Sequence, residues 1–238
     1  MSVLELIAGV LIYTACCTIQ GILGFGAGLL GVPMLALVST DFVPVPILMS
    51  APLMGGMFAW RERDAIDSTS LRWAVIGLIP GVVLGALTLT AVDKESLGVL
   101  FGSLLLGAVC LKASGARTKR NPWTVAFGGS MTGFMGTTVG VGGPPMALVM
   151  SDVSAPIFRS TMNAFMMIGM PISVLALAIA DEIVVSDLVV SAFLLLSILV
   201  GFAISGPLRR FLDHGWLAPA VLAMSGLGAV CLLVRSLV

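Results

Sequence analysis

One glycine-rich stretch occurs twice in this chain, and the pair limits the possible folds more than any other feature. The first copy covers residues 20–39 (QGILGFGAGLLGVPMLALVS) and the second residues 132–151 (TGFMGTTVGVGGPPMALVMS). They align without a gap at an offset of 112. Gly21, Gly24, Gly28, Gly31, Pro33, Met34 and Ser39 fall on Gly133, Gly136, Gly140, Gly143, Pro145, Met146 and Ser151. The pentapeptide GAVCL recurs at 107–111 and 228–232, an offset of 121, so the second half has gained nine residues between the two matches. Repetition of this kind marks a duplicated protein, and a duplicated glycine-rich stretch is the first place to look for its function.

The solvent for this fold follows from composition. Hydrophobic residues make up 58% of the chain, charged residues 10%, and the mean hydropathy is +1.13. A soluble domain carries about 25% charged residues, so these are too few to cover a soluble surface. Apolar runs of membrane-spanning length follow one another, which makes the chain an all-α polytopic membrane protein whose partner is the lipid bilayer. The net charge of zero gives no basic patch for nucleic acid. No Lys or Arg precedes the first apolar run, as a signal peptide would want, so that run reads as a retained span. The four cysteines lie in apolar runs and have no metal-ligand spacing with the lone His214,.

Apolar runs and loop signals place spans at about 3–23, 44–60, 71–92 and 96–111, with a glycine stretch and short helix to about residue 40 after the first. After a basic linker the order repeats: 122–135, the second glycine stretch with a short helix to about 151, then 158–180, 186–208 and 216–237. The domain reading is a first transmembrane repeat over 1–114, a cytoplasmic linker over 115–121 and a second repeat over 122–238. That gives about eight full transmembrane helices plus two discontinuous glycine-rich spans. With the linker in the cytoplasm, Arg61, Arg63, Arg72, Lys112, Arg117, Lys119, Arg120, Arg159, Arg209 and Arg210 lie on that side, against Lys94 and Arg235 on the other. The positive-inside rule therefore puts both termini outside the cell. Each half has five membrane-crossing elements, so the second enters from the opposite face. The expected architecture is two inverted structural repeats, an arrangement common in secondary transporters.

Pro33 and Pro145 suit the first turn of a helix, where a missing N–H does no harm. Helices running from them to about residues 40 and 152 cover about half of the hydrocarbon thickness. The preceding residues, 24–31 and 136–143, could cross the rest as extended backbone, which glycine permits. Unwound backbone at membrane depth is tolerated where it is buried in protein or lines a polar cavity. Helix N-termini there favour an anion. The substrate-binding candidates are Gln20, Gly24, Gly28, Gly31, Pro33, Thr137, Thr138, Gly140, Gly142, Gly143, Pro145 and Asn163, with Thr132 and Ser50 as further neutral donors. The same glycines also fit small-xxx-small helix packing, and Asn163 also fits an interhelical hydrogen bond. Arg159 reads as an interfacial anchor that could also draw anions to the cytoplasmic mouth. No catalytic cluster, metal site or cofactor motif is present: the chain has one histidine and no HExxH, GxSxG or Walker motif,. The expectation is a non-enzyme with no cofactor.

The paired stretches GFGAGLLGVPML and GTTVGVGGPPMAL, each opening one half of a compact chain of apolar spans, resemble the TauE/SafE sulfite exporter family of bacterial membrane transporters. The resemblance covers essentially the whole chain. It implies a permease of the cell inner membrane that moves sulfite, sulfoacetate or another small organosulfonate. Leu30 and Val32 stand in the first copy where Gly142 and Pro144 stand in the second, which suggests a more open second half-site. Proton coupling and a homo-oligomer stay open, although the spans show no strong Asp, Glu or His relay. An anion channel, a membrane enzyme and a non-transporting structural subunit are the alternative readings.

Overall fold

The computed structural model describes residues 2–92 and 119–212, with isolated positions between 99 and 110 and between 223 and 230. The expected spans at 96–111 and 216–237, and the GAVCL repeats, lie outside the described residues. Within them the chain forms eight α-helices and no strand. They are α1 (Val3–Leu23), α2 (Ala27–Val38), α3 (Val45–Arg61), α4 (Ser68–Ala91), α5 (Pro122–Val139), α6 (Gly143–Val149), α7 (Ala155–Ile179) and α8 (Val185–Leu212), with two short 3-10 turns. Four of these, α1, α4, α7 and α8, are long and apolar enough to cross a membrane. The chain is thus a multi-pass membrane protein. α3 and α5, at 17 and 18 residues, fall outside that set.

Local signals explain most helix boundaries. Ser2 and Glu5 form a capping box at the start of α1, and Asn121 and Thr124 form its counterpart at α5 with Pro122 at the first helical position,. Asp67 caps α4 by accepting from the backbone N–H groups of Thr69 and Ser70,. Trp60 and Trp123, at helix ends, are 68% and 81% exposed, as interfacial tryptophans are,. The outward faces of α4 and α8 carry Ile79, Val83, Leu87, Leu188, Leu196 and Val200, an apolar surface that suits lipid,.

Helices of one half pack on helices of the other. α4 lies on α5 and α1 on α8; α3 lies on α7 and α8, and α7 also on α4. Glycines set the closest approaches. β-Carbons at Gly77, Gly81 and Gly85 would meet backbone at Ala126, Ser130 and Phe134 respectively, so α4 and α5 run parallel,. The pairs Val10–Ser197, Cys17–Gly201 and Gly21–Ser205 make α1 and α8 parallel as well. Between α3 and α7 the order reverses. Gly55 faces Asn163 and Met167, whereas Glu62 faces Arg159, so this pair is antiparallel.

Candidate functional site

Both glycine stretches break their helices, but the breaks are shorter than the eight extended residues expected. Non-helical backbone is confined to Gly24-Phe25-Gly26 and Gly140-Val141-Gly142. Gly24 and Gly140 close the preceding helices in the left-handed conformation, at φ 83° and 73°, and Gly26 follows at φ 118°. A side chain disfavours each of these conformations. The two breaks match at an offset of 116, four residues or about one helical turn from the offset of the sequence alignment,. Sequence reasoning therefore missed Phe25, Gly26 and Val141. The repeated Gly-apolar-Gly tripeptide was the signal that could have found them.

Pro33 does not start a helix. It is the seventh residue of α2, which has 12 residues rather than about nine. Its missing N–H falls opposite Leu29, one turn back, and helix packing tolerates the loss. Pro145 does lie in the first turn of α6, together with Pro144. Two prolines in that turn remove amide donors, so the second half-helix offers fewer N–H groups than the first,. Gly31 faces Tyr13 and Cys16 on α1 rather than the break.

The two breaks meet inside the bundle. A β-carbon on Gly28, in the first turn of α2, would run into the carbonyl oxygen of Gly140, and one on Gly143 would lie 3.4 Å from Cβ of Phe25. Gln20 holds the first break together from within. Its Oε1 accepts from the Ala27 N–H at 3.1 Å, capping α2, while its Nε2 donates to Gly24 O and to Asn163 Oδ1, both at 3.2 Å. Asn163 in turn donates through Nδ2 to the Arg159 carbonyl at 2.7 Å. Both amides, read from sequence as ligand donors, are engaged with protein and brace the break. Ala27 is served by Gln20, and the first turn of α2 also holds the amides of Gly28 and Leu29, which no helical carbonyl reaches,.

The hydroxyls divide in the same way. Thr137 donates to Ser173 Oγ at 2.9 Å, and Thr138 donates to Phe134 O at 2.8 Å, one turn back. Ser50 pairs with the Tyr13 hydroxyl and donates to Ile47 O. Thr132 differs: its Oγ1 is buried without a hydrogen-bond partner, and its Cγ2 lies against Gly142, the N-cap of α6. A buried hydroxyl left unpaired is costly, so the second break has a polar group still to be satisfied.

Two glycine breaks, one from each half of the duplication, meet between the helices, with Phe25 and Val141 buried and Gly28, Gly142 and Gly143 half-buried. The family model for the sulfite exporter TauE/SafE matches residues 8–232. The chain belongs to this family. No curated protein and no solved structure matches it. TauE/SafE membership makes the chain a member of a transporter family of sulfite exporters, and with its apolar helices it accounts for a protein built to carry an anionic substrate across a membrane.

Proposed function

We propose that this TauE/SafE protein is a secondary transporter of a small oxyanion, such as sulfite, sulfoacetate or another organosulfonate, in the bacterial inner membrane. It works by alternating access between two inverted repeats. The observation that carries the reading is the contact between the breaks, Gly28 against Gly140 and Phe25 against Gly143. Inverted-repeat carriers place their substrate where discontinuous helices meet, with helix N-termini aimed at the anionic group. The anion sits between the breaks, held by the Gly28 and Leu29 amides and the Thr132 hydroxyl. Gln20, Gly24, Pro33, Thr137, Thr138, Gly142, Pro145 and Asn163 shape this pocket rather than ligate, and Gly31 faces α1 instead.

The helix directions support inversion. Exchanging α1–α4 with α5–α8 turns the α1–α8 contact into α5–α4 and the α3–α8 contact into α7–α4, and both members of each exchange are present. The counterpart helices α3 and α7 run antiparallel, as inverted repeats require. A neutral site releases its anion more readily than a lysine cage would, which suits turnover.

The test is counterflow of labelled sulfite into proteoliposomes preloaded with unlabelled anion, with sulfoacetate, sulfate and acetate as competitors. A carrier shows transient accumulation that sulfoacetate suppresses. Steady conductance without counterflow would instead make the protein an anion channel.

A further inference from the structure

Three arginines and one glutamate gather where α1, α3, α7 and α8 converge. Arg159 grips the Glu62 carboxylate with two parallel hydrogen bonds, Nε to Oε2 at 2.9 Å and a terminal guanidinium nitrogen to Oε1 at 2.7 Å. Arg209 donates to the same Oε1 at 2.7 Å. The Arg159 and Glu62 side chains are 9% and 12% exposed, while Arg209 is 33% exposed and opens one flank to solvent. Arg61 adds a third positive charge beside them. Its guanidinium lies 5.0 Å from the Phe58 and Phe202 ring centres and donates to Gly21 O and Ser205 Oγ, and its buried Nε has no hydrogen-bond partner.

The helix ends make this pairing unusual. Glu62 caps the C-terminus of α3, the negative end of that helix, and Arg159 stands near the N-terminus of α7, a positive end. Each charge is at the end that disfavours it. The start of α7, Arg159 and Arg209 together attract an anion, and the chain supplies one at the expense of the α3 terminus. A free oxyanion of carboxylate size would make the same three N–H contacts without that expense. Burial raises the Glu62 carboxyl pKa, but the hydrogen bonds and charges of Arg159 and Arg209 outweigh it and hold the group below the usual carboxylate range. Glu62 is therefore ionised at neutral pH, and another anion rather than a proton must displace it.

We propose that Arg159 and Arg209 form a second binding site for a small oxyanion, at this end of the bundle, and that Glu62 is its built-in competitor. The choice of oxyanion rests on the function proposed above. The site is linked to the break directly: the Arg159 side chain packs against Gly24, and its carbonyl holds Asn163, which holds Gln20 and so the cap of α2. An anion arriving at Arg159 releases Glu62 from α7 and frees α3 to move against it.

The test is calorimetric titration of sodium sulfite into the purified full-length protein in detergent. Glu62→Gln keeps the shape and removes the charge. It should tighten sulfite binding by about tenfold or more, and adding Arg159→Gln should abolish the gain. Unchanged or weaker binding in folded Glu62→Gln, or a gain that survives Arg159→Gln, overturns the proposal. If Glu62→Gln does not fold, Glu62→Asp, which draws the carboxylate back from Arg209, should give a smaller gain, and no gain there overturns it equally. The readout is independent of transport. A protein that shows this gain but no counterflow would refute the carrier reading and leave the second site standing.

Discussion

Gln20 serves three groups with one side chain: the first amide of α2, the Gly24 carbonyl at the end of α1 and Asn163 on α7. Replacing it by alanine leaves these groups buried and unpaired, which should cost about 1–3 kcal/mol. Thermal unfolding of Gln20→Ala in detergent should show a clear loss, whereas Thr138→Val, which removes only a back-bond within its own helix, should change little. That Gln20 lies beside the break is legible in the sequence, because it directly precedes the glycine run in an apolar span. Its role as a brace is not, since its partner Asn163 lies 143 residues away. Nor does sequence spacing reveal that Thr132 is unpaired while Thr137 and Thr138 are satisfied.

Periodicity and breakers placed α1, α3, α4, α7 and α8 within a few residues of their ends, because long apolar runs between charged loops leave little choice. The short helices were harder. Proline is a helix-start signal in sequence, and at α6 it is one,. At α2 the helix begins two turns earlier, at the Gly26 N-cap, because the packing of α2 against α1 outweighs the hydrogen bond lost at Pro33,. The glycines of α4 let it approach the backbone of α5. Gly81→Ala would drive a methyl into the Ser130 carbonyl. Overpacking of this kind costs about 1–3 kcal/mol, so Gly81→Ala should lower the unfolding temperature. Gly136→Ala, whose nearest neighbour is the Met170 methyl at 3.6 Å, should not. Equal stability of the two variants would mean that α4 and α5 do not pack as closely as described.

Across the whole molecule, the duplication was visible from sequence, but its helix pairing was not. No local pattern says that α4 packs on α5 or that α1 packs on α8. These contacts join the halves, so each repeat is packed against the other along α4–α5 and α1–α8. The charged cluster lies where α3 meets α7. The proposed orientation has a direct check: single cysteines at positions 116 and 183 should be labelled from opposite sides of the membrane, and labelling of both from one side would refute the odd count of crossings. The claim that the paired breaks are the transport site is tested most directly by sulfite counterflow in Gly28→Ala beside Gly31→Ala. The added methyl at residue 28 meets the Gly140 carbonyl, whereas at residue 31 it meets only Tyr13 and Cys16 at 3.6–3.7 Å. The account predicts that folded Gly28→Ala loses counterflow and Gly31→Ala keeps it; equal counterflow in the two variants would contradict it.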